Sequence, residues 1–343
     1  MKKGISREES VMMQGMAVML MVFHHLFAFP ERIAYAPVMI LDFSFLHCET
    51  ILSYYGRICI SLFAFLTGYG MIVREKVGEY ASLVSGYRCA VSRLVKFFLR
   101  YWLVYLVWVP LGYGLGVYSF GLTPFLKGLF GLDCSYNQEW WYVAEYAKLL
   151  LCFPVVVWLF RKSGRMKLGV MAVMGAAAAI GIAQNNTFAH VFSYALSGMA
   201  IAEYGVFERL NERLYSCGSW IRLICMLLGL GILFSRMLVA SGVKQDALFA
   251  PVWIWTWMTL LNMSVATWPL KYLLGLVGRY STYIYLTHTF FAYYYFQRIC
   301  FLPRYSWLVF VFCIASSMIS GFVLEPIALQ IEKRWGNDDG RQN

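Results

Sequence analysis

Apolar residues do not alternate with polar ones along this chain; they come in long blocks. Ten blocks can be marked, at about 11–29, 56–73, 97–117, 140–160, 167–183, 188–205, 220–240, 247–268, 272–296 and 305–328. Each is close to the roughly 20 residues a helix needs to cross the hydrocarbon core of a bilayer. The polar stretches between them are short, and the longest, 30–55 and 74–96, are too small to fold alone. No stretch carries the repeated period-two alternation of a membrane β-barrel. The pattern predicts an all-α fold, a polytopic membrane helix bundle of about ten transmembrane helices forming a single domain over 1–343.

Composition sharpens this. Hydrophobic residues make up 60% of the 343 positions and charged residues only 14%, against about 45–50% and about 25% in soluble domains. So few charges cannot cover a water-exposed surface. The 12 Trp and 24 Tyr suit the membrane–water boundary. Nine cysteines include no CxxC pair and no metal-ligand spacing; Cys59, Cys152, Cys225 and Cys313 lie inside apolar blocks and read as small core residues. The first block follows a basic start but holds two histidines and no small-residue cleavage site, so it reads as a retained helix and not a cleaved signal.

A net charge of +11 raises nucleic acid as a partner, but the distribution of the charge argues against it. With the N-terminus in the cytoplasm, the inner connections carry nineteen Lys and Arg and the outer ones six. That asymmetry is the positive-inside bias of a membrane protein, and it predicts that both termini are cytoplasmic.

Ionisable side chains inside apolar blocks are costly and mark function. His24 and His25 lie in the first block, Glu145 and Lys148 in the fourth, Arg279 and His288 in the ninth. At 1.5 Å per residue, His25 sits roughly 21 Å and His288 roughly 24 Å from the inner end of their helices, and Glu145 about 7 Å below the outer end of its own. Three titratable groups therefore share one depth, in the outer half of the membrane. Gln14 and His25, eleven residues apart, project from one helix face. Arg93, Lys96 and Arg100 recur at three- and four-residue spacing and form one basic face at the inner end of the third helix, suited to anionic headgroups or to the phosphates of a soluble cofactor.

Five segments carry a resemblance: MQGMAVMLMVFHHLFAFPERI (13–33), GRICISLFAFLTGYGMIVR (56–74), RLVKFFLRYW (93–102), NQEWWYVAEYAKLLLCFP (137–154) and LLGLVGRYSTYIYLTHTFF (273–291). Together, and in this order, they resemble the acyltransferase-3 family of bacterial membrane O-acyltransferases, most of all its capsule and exopolysaccharide O-acetyltransferases. His25 matches the histidine of the family's first helix, and Gln14 stands where the family has arginine. Phe65, Thr67 and Gly68 match its Phe-Leu-Ser-Gly stretch, with Thr for Ser. Arg93 and Lys96 match its basic pair, Trp141 and Glu145 its Trp-to-Glu segment, and His288 a histidine near the end of such chains.

The resemblance implies a multi-pass enzyme of the bacterial cytoplasmic membrane that moves an acyl group from acyl-CoA, most often acetyl-CoA, to a sugar hydroxyl. The acceptor is a cell-surface carbohydrate or its lipid-linked precursor. No metal and no nucleic acid is implied. An alcohol is a poor nucleophile at neutral pH, and a neutral imidazole can take its proton as it attacks a thioester. His25 is expected to be this base, Glu145 to orient it or stabilise its charged form, and His288 to assist or bind the acceptor. Arg93, Lys96, Arg100 and Gln14 are expected on the donor side. The competing class is a transporter or flippase for a glycan or lipid-linked sugar, which would call for paired broken helices or repeats.

Overall fold

The structure, a computed structural model, describes residues 4–43, 46–217, 219–238, 246–262 and 267–339. Helices carry nearly all of it: α1 (Arg7–Phe27), α2 (Cys48–Tyr55), α3 (Cys59–Lys76), α4 (Leu83–Gly114), α5 (Leu122–Leu129), α6 (Trp141–Lys162), α7 (Lys167–Ala183), α8 (Thr187–Glu203), α9 (Val206–Ser216), α10 (Ser219–Leu238), α11 (Asp246–Asn262), α12 (Trp268–Arg279), α13 (Ser281–Thr289), α14 (Gln297–Cys300) and α15 (Ser306–Asp339). Among the described residues, strand pairing is confined to a hairpin of Asp42–Phe43 with Leu46–His47 and one bridge between Val38 and Tyr305.

Among the described residues, six stretches are long and apolar enough to cross a bilayer: Arg7–Phe27, Cys48–Lys76, Leu83–Gly114, Gln138–Lys162, Gly164–Ala183 and Ser306–Trp335. Gly164–Ala183 is only 11% buried over its most apolar stretch, an apolar surface of the kind a bilayer covers. The other four expected spans differ for visible reasons. α8 and α11 have 17 residues each. The block 220–240 runs past the described part of α10. The block 272–296 is not one helix: α12 ends at Arg279, α13 begins at Ser281, and the chain widens into a π-helix over Phe290–Tyr294. An apolar run says nothing of such a break, because the residues on both sides of it are equally apolar.

Two compact units are assembled from interleaved stretches of chain. The first comprises residues 1–21, 54–90 and 148–279. Its α1 opens with a reciprocal cap, in which the Glu9 amide donates to Ser6 Oγ at 3.1 Å and the Ser6 amide to Glu9 Oε2 at 2.9 Å. α3 and α8 lie backbone to backbone. A Cβ on Gly68 would strike the carbonyl of Ala195, and one on Gly198 the carbonyl of Phe65. α1 and α12 meet in the same way, with Gly278 against the carbonyl of Val11 and Gly15 against that of Leu274; small residues permit this approach between membrane helices. Lys76 donates to the carbonyl of Ala202, in the last turn of α8, at 2.7 Å and so caps that helix. Gly198→Val is expected to destabilise the protein by about 1–3 kcal/mol, the cost of overpacking a close contact, read as a lower melting temperature in detergent.

The second unit comprises residues 22–53, 91–147 and 280–343. Its core is aromatic: Tyr101, Tyr105, Trp108, Tyr136, Trp140, Tyr283 and Phe290 are all buried, and Trp108 stacks on Phe290 with ring centres 4.9 Å apart. Buried hydroxyl and indole groups need partners, and α5 supplies them. Tyr101 donates to the Gly128 carbonyl at 2.6 Å, Trp102 to that of Leu129 at 2.8 Å and Tyr105 to that of Phe125 at 2.8 Å. Arg100 joins α4 to α15 through Glu325 and Glu332.

Candidate functional site

Every group of the site belongs to the second unit. The chain leaves α1 just after His24 and His25, and their side chains part company there. His24 Nδ1 donates to the carbonyl of Ser53 at 2.7 Å, which ties the end of α1 to the end of α2. His25 instead turns its Nε2 to Glu139, 3.7 Å from Oε2, with both side chains nearly buried (12% and 13% exposed). That distance is an ion-pair separation and too long for a hydrogen bond; separations of this kind are common in catalytic pairs before substrate arrives.

Glu139 is placed by the turn that precedes α6. Asn137 caps a 3-10 turn over Gln138–Trp140, its side chain accepting from the Glu139 amide at 3.1 Å. The other end of the Asn137 amide donates to Thr289 Oγ1 at 2.6 Å. Trp140 Nε1 donates to the Leu286 carbonyl at 3.0 Å, and Tyr285 Oη to the Glu139 carbonyl at 2.9 Å. Three bonds thus fasten this turn to α13. On its far side Arg32 donates to Glu139 Oε1 at 2.8 Å, from a short 3-10 turn over Pro30–Arg32. The Arg32 backbone is held by Gln297, whose Nε2 donates to its carbonyl at 2.9 Å. Burial works against the Arg32 charge, but the hydrogen bond and charge of Glu139 outweigh it, so its pKa stands above the usual arginine value.

His288 completes the group. It is wholly buried on α13, and its ring centre lies 5.1 Å from that of His25. Its Nδ1 lies 3.0 Å from the Ile284 carbonyl and 2.9 Å from that of Tyr285. Immediately beyond, the π-helix over Phe290–Tyr294 turns Tyr293 so that its hydroxyl donates to the His25 carbonyl. Single-turn π segments of this kind recur at functional sites.

The structure therefore brings His25 and His288 together, as their shared depth suggests. The carboxylate at ion-pair distance from His25 is Glu139; Glu145, to which the sequence reading assigns that place, lies six residues further along, buried on α6. Depth counted along a helix starting at 140 cannot see that a turn ahead of α6 is bolted to α13. Gln14 is half-buried on α1. Arg93, Lys96 and Arg100 do share α4, but Arg100 is already committed: Nε and Nη2 grip Glu325 at 2.8 and 2.7 Å, and Nη1 reaches Glu332 at 2.6 Å. Its charge is balanced inside the unit by these two carboxylates. Lys96, 3.9 Å from Glu332, is half exposed, and Arg93 is partly buried. Among the described residues no cluster of three His, Cys, Asp or Glu has the arrangement of a metal site.

Arg32, Asn137, Glu139 and Tyr293 escape the sequence reading. A signal existed for the first three, which all stand inside the segments 13–33 and 137–154 but outside the apolar blocks.

Comparison with known proteins gives the family. A family model described as an acyltransferase domain matches residues 12–325, a range that holds every residue of the site. No curated protein and no solved structure matches the chain.

Proposed function

Since the chain belongs to the acyltransferase-3 family, we propose that it transfers an acyl group, acetyl in the first instance, from acyl-CoA to a hydroxyl of a cell-surface carbohydrate or its lipid-linked precursor. The observation that carries this reading is the pairing of His25 with Glu139. Nε2 faces the carboxylate, so Nδ1 is the nitrogen left to act as base. It takes the proton of the acceptor hydroxyl as the oxygen attacks the thioester carbonyl. The imidazolium formed is stabilised by Glu139, and the same proton then leaves with the CoA sulfur. Arg32 holds Glu139 in place throughout.

On the donor side Arg93 and Lys96 are the cations we assign to the CoA phosphates; Arg100 acts instead through Glu325 and Glu332, as a brace between α4 and α15. The setting we propose is the bacterial cytoplasmic membrane, with both termini on the cytoplasmic side, where CoA is found.

The test is genetic and chemical. Deleting the gene should remove an O-acetyl signal from the NMR spectrum of the organism's surface glycans, and restoring it should bring the signal back. Acetylation that persists while glycan export fails would replace transfer with transport.

A further inference from the structure

The two histidines leave two nitrogens unanswered. Both partners of His288 Nδ1 are carbonyls, and a carbonyl only accepts, so Nδ1 carries the ring proton and Nε2 keeps a bare lone pair. Nε2 is buried and meets no hydrogen-bond partner among the described residues. His25 presents the same situation at its other end. Its Nε2 faces Glu139, and its Nδ1 is buried without a hydrogen-bond partner among the described residues. Buried acceptors left without a donor are costly, and each such group in a folded protein calls for an explanation.

The rings are close enough for one explanation to serve both. Their centres are 5.1 Å apart, a separation within the span of two neighbouring hydroxyls that each make an O–H···N bond of about 2.8 Å. One hydroxyl answers one nitrogen and leaves the other orphaned. Two hydroxyls on adjacent carbons answer both.

We propose that His25 and His288 form a subsite for two neighbouring hydroxyls of a sugar, so that the enzyme esterifies a hydroxyl whose ring neighbour is also free. The reacting hydroxyl is held at His25 Nδ1 and the adjacent one at His288 Nε2. No proton passes to His288; it accepts a hydrogen bond and fixes which hydroxyl lies at the base. This rests on the reading of His25 as the base. The surroundings suit a positioning task. The Cys313 thiol donates to the His288 carbonyl at 3.6 Å, and the neighbouring Thr289 is bonded to Asn137. The ring that selects the acceptor and the turn that carries Glu139 are thereby locked in one frame.

The experiment reads the position of the acetyl ester on the organism's glycans by two-dimensional proton–carbon NMR. It compares strains carrying the wild-type gene, no gene, H288F and H288Q. In the wild type the ester carbon should adjoin a carbon with a free hydroxyl. H288F should lower ester content about tenfold at equal protein level, the loss of one buried hydrogen bond, and H288Q, whose amide oxygen still accepts, should recover part of it. An ester whose ring neighbours are both linked or deoxygenated overturns the paired subsite while leaving the acyltransferase reading intact. Full esterification by H288F does the same, and points to a water bridging the two nitrogens. If deleting the gene removes no ester, the acyltransferase reading falls and the subsite falls with it. The ester position in the wild type decides the matter even if neither variant folds.

Discussion

His25→Ala should abolish acyl transfer while leaving the protein in the membrane at its normal level. A positioned general base contributes about 10²–10⁴-fold to a rate, and alanine offers no lone pair in its place. The His25 side chain makes its ionic contact with Glu139 alone among the described residues, and the hydrogen bond from Tyr293 is accepted by the backbone carbonyl, which alanine keeps; what alanine gives up is the packing of the ring against His24, Phe29, His288 and Tyr293. His24 is the built-in control. Its ring donates to the carbonyl of Ser53, so His24→Ala removes a tether between α1 and α2 and leaves the proposed base intact. Ester content measured beside detergent-extracted yield separates the two. His25→Ala should show normal yield and no ester; His24→Ala should show a lower melting temperature with ester still present. Normal ester with His25→Ala would remove this residue as the base.

The two variants differ by one position in a sequence where the two residues look alike. Periodicity distinguishes their directions by roughly 100°, but only tertiary structure says that one direction meets a carbonyl and the other a carboxylate. The same limit explains what else was legible. An imidazole in an apolar block is conspicuous because burying it is costly, so His25 and His288 stand out unaided. Glu139 and Arg32 lie in connections, where a charge is ordinary; their place in the segments 13–33 and 137–154 is the one sign they give, and it does not separate Arg32 from Glu31. The spacing of Arg93, Lys96 and Arg100 is a true helical face, yet the partners of Arg100 lie 225 and 232 residues away, beyond the reach of any local pattern. Most of the longer helices follow apolar blocks, but α4 begins at Leu83 and α15 runs to Asp339, well outside the blocks 97–117 and 305–328, and α2, α5 and α9 lie between blocks. The break at Tyr280 was not legible, because its cause lies in how α13 packs: Tyr283 donates to Glu325, and Trp140 and Asn137 bond to residues 286 and 289.

Glu139→Gln is expected to lower kcat by about a hundredfold with little change in the KM for acyl-CoA. At an effective dielectric of about 20, two unit charges near 4 Å attract by about 4 kcal/mol. That sets a ceiling near three orders of magnitude on what the carboxylate can give the imidazolium as it forms. The ground state, with His25 neutral, gains much less. The interaction therefore belongs mainly to the transition state, where its loss appears in kcat and not in substrate affinity. Glutamine keeps the shape, and it can still accept from Arg32, so Asn137, Tyr285 and Trp140 should continue to hold the turn in place. A purely structural glutamate would behave differently, with the melting temperature falling and the KM values drifting together. Glu145→Gln supplies the comparison: with Glu139 as the carboxylate that serves His25, it should stay within a few-fold of wild type in kcat. Were Glu145→Gln the variant that loses a hundredfold while Glu139→Gln stays near wild type, the turn ahead of α6 would be a structural clasp. The search for the partner of His25 would then move back into the helix.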